Sequence, residues 1–273
     1  MKIFDGWALV SDLDGTLLYD SQLVPGNKEA IDRFEADGGK FIMATGRSVA
    51  KAKQFAKTLE CRYPSVVYNG AAVYDYSTER FLWTCTYQKT EVLSFFEKIS
   101  KEFPKVGFVV HGREKLWVAK ETEMSVEYAL EETDELICAD FCDIEDEWFK
   151  VLAVAPHDEI VRFSQYAEKY LPERLRATRS DSNYCEFLDK KVNKFFATSR
   201  ILDMLSISLD KSCGIGDYYN DLELICETAV GACPASAPQG VRDRAPNVVA
   251  PCKDGAVADF VDLIEKRINK NLL

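Results

Sequence analysis

The chain predicts an α/β protein: a doubly wound, Rossmann-like parallel sheet into which a smaller α/β unit is inserted. Three observations predict it. Short apolar runs alternate with apolar residues at helical spacing near the N-terminus. The same rhythm returns near the C-terminus. Between them lies a long stretch with strands and helices of its own. A continuous apolar run of four or five residues is the pattern of a strand buried on both faces, and a strand–helix–strand repeat makes neighbouring strands parallel.

The elements follow in order. Residues 7–11 form the first strand. Residues 25–37 read as a helix, because Ala30, Ile31 and Phe34 share a face and Gly38-Gly39 stops it. Residues 40–44 form the second strand, 49–59 a helix and 65–68 the third strand. In the middle, strands at 106–111, 115–119, 149–155 and 174–179 alternate with helices at 90–103, 122–131 and 157–171. That is enough for a separate unit spanning 84–185, which leaves 1–83 and 186–273 as the outer domain. A strand at 184–188 leads to a helix at 192–205. Ser212–Ile215 is a strand, 221–227 a helix, 229–232 a short strand, 238–244 a helix, 247–250 a strand and 256–268 an amphipathic final helix.

Composition narrows the function. The net charge is −11, so a nucleic-acid partner is not expected; phosphate backbones are held by basic patches. No apolar run reaches the ~20 residues of a membrane span, and the few apolar residues after Gly6 are too short for a signal peptide. Nine cysteines, none in a Cys-x-x-Cys pair, read as reduced thiols and point to the cytoplasm. Only His111 and His157 exist, which leaves little material for histidine-based metal sites or Ser-His catalysis. No Lys or Arg lies between Lys120 and Lys150, a stretch read as a solvated acidic rim.

The most informative segment is Ser11-Asp12-Leu13-Asp14-Gly15-Thr16. Residues two apart on a strand face the same side. Two carboxylates there repel by about 4 kcal/mol at ~4 Å and an effective dielectric of ~20. A cation or a shared proton must offset this, and a magnesium ion beside an attacking carboxylate does so well. A calcium loop is excluded, since Thr16, Leu18 and Asp20 do not continue its alternating oxygens. Three further segments sit where strands end, the place where open α/β sheets bind ligands. Thr45-Gly46-Arg47 offers a hydroxyl and backbone N–H groups at a helix start, suited to phosphate. Lys194 stands on a helix after the strand at 184–188. Gly214-Ile215-Gly216-Asp217-Tyr218-Tyr219-Asn220-Asp221 crowds acids and an amide into one turn.

This ordered series of Asp12, Asp14, Thr45, Lys194 and Asp217 to Asp221 resembles the haloacid dehalogenase superfamily of hydrolases. Asn69-Gly70 matches a turn of its Cof-type, or IIB, subgroup. Only 32 residues separate Asp12 from Thr45, against about 150 between Thr45 and Lys194, so the insertion falls where that subgroup carries its cap domain. The resemblance implies a Mg²⁺-dependent phosphatase of small phosphorylated metabolites, commonly sugar phosphates. A phosphosugar mutase, or a phosphoacceptor or binding protein without turnover, is the alternative. It implies Asp12 as nucleophile and Asp14 as general acid–base. Thr45, Gly46, Lys194 and Asn220 would hold phosphate. Asp12, Asp14 (through its carbonyl), Asp217 and Asp221 would hold the metal, and Asn69 and Arg179 would meet substrate. Phe195 stands where the family usually has Gly, and Ser236 where Asn is common. Nothing in the sequence demands more than a monomer.

Overall fold

The computed structural model describes residues 2–270, which divide into two compact units: 2–83 with 193–270, and Thr84–Val192. The first unit is built on a parallel sheet whose strands lie in the order Val248–Val249, Val230–Pro234, Ser212–Ile215, Ala8–Ser11, Lys40–Met43. The strand Ser65–Val67 extends it through one parallel bridge, Ala44 to Val66. Ala8–Ser11 is buried throughout, and its alternate side chains supply two cores. Leu9 packs with Phe41, Met43 and Ile215 against Ile31, Phe34, Phe260 and Ile264 of the helices Asn27–Ala36 and Ala256–Asn269. Ala8 and Val10 face the other way, with Ile42, Ala44 and Val66, onto Ala197 and Ile201 of the helix Lys194–Met204.

This order positions the site. Chain connections run to opposite sides of the sheet from Ala8–Ser11 and Ser212–Ile215, so a crevice opens beyond the C-terminal ends of those two neighbours. Ser11 is in register with Ile215, and the Asp12 N–H donates to the Ile215 carbonyl over 3.0 Å. Residues just past each strand therefore meet.

The second unit is a five-stranded antiparallel sheet in the order Leu175–Asp181, Tyr184–Asp189, Trp148–Val154, Gly107–Gly112, Leu116–Lys120. Phe108, Val151 and Phe187 of the sheet pack on Val92, Phe96 and Phe163 of the helices Lys89–Glu102 and His157–Lys169.

Two sequence expectations are corrected. The strand Tyr184–Asp189 is antiparallel and belongs to this second unit, which runs to Val192 rather than ending at 185. Lys194 thus does not follow a parallel core strand. It opens its own helix behind the cap residue Asn193, whose Oδ1 accepts the Phe196 N–H over 2.7 Å. In addition, the third strand ends at Val67 and pairs antiparallel with an unforeseen strand, Ala72–Asp75. Among the described residues no helix is long and apolar enough to cross a membrane. All nine cysteines are free thiols.

Candidate active site

Asp12 leaves the strand Ala8–Ser11 into the crevice and is only 5% exposed. Asp217 and Asp221 come from the turn after Ser212–Ile215. One carboxylate oxygen from each of the three lies within 4.8 Å of the others. The turn is held by Asp221 itself, whose Oδ2 accepts the N–H groups of Asp217 and Tyr218, each over 3.1 Å. Lys194 is wholly buried, and its Nζ lies 2.6 Å from Asp12 Oδ1 and 2.6 Å from Asp221 Oδ1.

The electrostatics follow from that packing. Burial, aided by the charges of Asp221 and Asp14 and opposed by Lys194, pushes the Asp12 carboxyl up to about 7. Burial also holds Asp217 well above the usual carboxylate range, with Asp12 and Asp221 adding to it. For Lys194 burial acts to lower the ammonium, but the paired charges of Asp12 and Asp221 outweigh it and keep it above its ordinary value. Two carboxylates 4.8 Å apart repel by about 3 kcal/mol at an effective dielectric of ~20. One ammonium among three carboxylates leaves the cluster short of positive charge. The donor set is all oxygen, without His or Cys, and suits a hard divalent cation such as Mg²⁺.

Asp14 stands apart from that cluster. Its side chain is 52% exposed and is gripped by Arg47 in a bidentate pair, Nε to Oδ2 over 2.7 Å and Nη2 to Oδ1 over 2.6 Å. The Arg47 guanidinium lies 4.8 Å over the Phe55 ring. Sequence reasoning quoted Arg47 only as part of its turn and gave it no role. An arginine in a phosphate-type turn, in a chain with an excess of acid beside it, was the available signal.

The remaining predicted residues also have definite places. Thr45 is buried; its N–H donates to Val66, and its Oγ1 accepts the Arg47 N–H over 3.1 Å. Gly46 follows it in the same turn. Asn220 and Asn69 are both buried, and the Asn220 Nδ2 donates to Asn69 Oδ1 over 2.9 Å. Arg179 lies in the second unit, where its Nη2 donates to the Ser182 carbonyl over 3.2 Å. The structure therefore gathers Asp12, Asp217, Asp221 and Lys194 into one cluster, links Asn69 to Asn220, and joins Asp14 to Arg47.

Residues 9–261 match the profile of the haloacid dehalogenase-like hydrolases. The chain belongs to this family. This haloacid dehalogenase-like hydrolase is 22% identical over 235 residues to the 5-amino-6-(5-phospho-D-ribitylamino)uracil phosphatase YcsE of Bacillus subtilis, with 86% of each chain covered. Its fold is similar to that of SMU.1108c from Streptococcus mutans, at a TM-score of 0.82, 20% identity, and coverage of 94% of this chain and 97% of that one. It is also similar to the structure described as the HAD subclass IIB sugar phosphatase BT4131. There the TM-score is 0.79 at 18% identity, covering 98% of this chain and all of the other.

Proposed function

We propose that this hydrolase is a Mg²⁺-dependent phosphatase of small phosphorylated metabolites, with sugar or polyol phosphates as the substrate class, acting through an aspartyl phosphate on Asp12. The observation that carries the reading is the buried Lys194 held between Asp12 and Asp221, with Asp217 beside them, at the switch point of the sheet. The relatives support the substrate class, since one is named for a phosphoribityl compound and one as a sugar phosphatase.

The roles follow from position. Asp12 attacks phosphorus; the Asp12 oxygen–phosphorus bond forms as the ester bond to the leaving oxygen breaks. Lys194, the Thr45 hydroxyl and the Gly46 backbone hold the phosphoryl oxygens. Asp14 gives its proton to the leaving oxygen, then takes one from the water that attacks the aspartyl phosphate, releasing inorganic phosphate and restoring Asp12. Asp14 is engaged by Arg47 in this structure, so that pair must part before the proton can move. The carboxylates of Asp12, Asp217 and Asp221 and the carbonyl of Asp14 would hold Mg²⁺, which supplies neutralising charge for the phosphoryl group. We read the second unit as the family's inserted cap and assign substrate choice to it.

The test is release of inorganic phosphate from a panel of phosphomonoesters, with Mg²⁺ and in chelator. Turnover that needs Mg²⁺ is expected. Full turnover in chelator, with metal content measured, overturns the metal assignment. Phosphate returned to another position of a sugar phosphate, with none released, identifies a mutase instead.

A further inference from the structure

We propose that the turn Tyr68–Asn69–Gly70 positions the active site, and that Asn69 acts on the reaction through Asn220 rather than by touching substrate. The proposal rests on the phosphatase reading of that same site.

The turn is strained. Tyr68, Asn69 and Gly70 are consecutive residues at φ 51°, 54° and 99°. Left-handed backbone costs about 1–3 kcal/mol at each non-glycine residue and persists only where the surroundings impose it. Here they do so on three sides. Toward the phosphate-type turn, the Tyr68 N–H donates to Arg47 over 3.0 Å and the Asn69 N–H to Thr45 over 3.1 Å. The Asn69 amide also lies flat on Gly46: a β-carbon there would stand 2.9 Å from both its oxygen and its nitrogen. Toward the lysine helix, a β-carbon on Gly70 would lie 2.1 Å from the Asn193 carbonyl oxygen and 3.0 Å from the Lys194 nitrogen. Toward the acidic turn, Asn69 Oδ1 takes the Asn220 amide over 2.9 Å. One short turn thus touches all three segments that bear Thr45, Lys194 and Asn220.

Asn69 suits this post. Asparagine is among the few residues that accept left-handed backbone, and its short amide reaches across the turn. Its Oδ1 is taken by the Asn220 amide, and its amide plane is backed by Gly46. The far end of the pair stands in the turn between Asp217 and Asp221. Asn220 Oδ1 is buried with no hydrogen-bond partner among the described residues. A buried acceptor left so costs about 1–3 kcal/mol, and an occupant of the Asp217 turn that donates a hydrogen bond would satisfy it. Asn69 fixes the amide from which that acceptor projects.

The test compares Asn69→Gly, Asn220→Ala and their combination. Glycine keeps the left-handed backbone and removes only the amide. Displacing a site group by an ångström costs on the order of 100-fold. Asn69→Gly is therefore expected to lower kcat/KM by roughly 10–100-fold, equally for p-nitrophenyl phosphate, glycerol phosphate and a hexose phosphate. The double variant is expected to be no worse than Asn220→Ala alone. A loss that depends on the leaving group, losses that multiply, or wild-type turnover in Asn69→Gly each overturn the proposal. Gly46→Ala is the second probe, since its methyl must push the Asn69 amide aside. It should reproduce the loss in the wild-type background and add nothing to Asn69→Gly; an additive loss counts against the proposal. If the wild-type protein hydrolyses no phosphomonoester, the phosphatase reading fails by itself. Melting temperatures of the same proteins then decide the pairing: non-additive shifts for Asn69→Gly and Asn220→Ala support it, and additive shifts refute it.

Discussion

Replacing Lys194 by Met tests the electrostatic account of the site most directly. Methionine keeps an unbranched stem of similar length, so packing inside the helix Lys194–Met204 is largely conserved while the charge is lost. The ammonium is fully buried and makes two contacts of 2.6 Å, to Asp12 and Asp221. Removing one partner of a buried ion pair costs about 3–5 kcal/mol, because the other is left uncompensated. At roughly 2–4 °C per kcal/mol for a unit of this size, the melting temperature should fall by about 6–20 °C at pH 8. Two further results follow. Asp12, already raised to about 7, should titrate higher still, so the deficit shrinks as pH falls below that value. Mg²⁺ should also raise the melting temperature more in the variant than in the wild type, because three carboxylates then face a cation with no competing ammonium. Calorimetric melts at pH 6 and 8, with and without millimolar Mg²⁺, read all of this. A variant that melts within about 2 °C of the wild type at pH 8 would show that Lys194 is not the counter-charge of the cluster.

Three other expectations can be checked on the same material. Asp12→Asn should abolish phosphate release yet melt no lower than the wild type in chelator, because the amide removes a repelling charge; circular dichroism and a phosphate assay on one preparation decide it. Metal-free wild-type protein should lose stability as pH rises from about 4 to about 7 and level off above that. The folded state keeps the Asp12 proton up to about 7 while the unfolded chain sheds it near 3.8, so stability declines between those values, where only the folded state binds the proton, and levels off once it has left; a flat melt profile across that window in chelator would refute this. Asp14→Asn should slow hydrolysis of alkyl phosphates by about 10²–10⁴-fold and of p-nitrophenyl phosphate by clearly less, since a good leaving group needs little protonation.

The parallel core was legible because its strands are short, apolar and buried on both faces, as in Ala8–Ser11 and Val230–Pro234. Strand direction was not, for a physical reason. Tyr184–Asp189 carries Cys185 and Phe187 into the core of the second unit while Glu186 is buried against Lys150 over 3.1 Å, and no local pattern distinguishes that from a buried parallel strand. Only its partners, far away in sequence, make it antiparallel. The candidate site shows the same division. The close spacing of Asp12 and Asp14, and of Asp217 and Asp221, announced an acidic cluster. The expected side-by-side pairing of Asp12 and Asp14 is corrected: the strand ends at Ser11, and Asp14 turns out to Arg47 while Asp12 joins Asp217 and Asp221. The spacing did not announce the partner that each acid takes, because Arg47 reaches Asp14 across 33 positions and Lys194 reaches Asp12 across 182.

Those pairings divide the charge unevenly, and the division constrains the chemistry. Four carboxylates meet two cations: Lys194 pairs with the buried Asp12 and Asp221, and Arg47 with the exposed Asp14. The first pairing is compatible with reaction. Lys194 lowers the cost of holding Asp12 ionised, which is the form that the proposed attack on phosphorus requires. The second pairing opposes reaction, because a carboxylate whose two oxygens are both engaged by a guanidinium presents neither of them to a leaving group. A phosphate dianion entering beside Thr45 is the natural competitor for that guanidinium, which shares the turn. On the proposed mechanism, binding of substrate exchanges an Arg47–Asp14 pair for an Arg47–phosphate pair and frees Asp14 to face the leaving oxygen. An acid released only when phosphate is present is one that works when there is a leaving group to protonate.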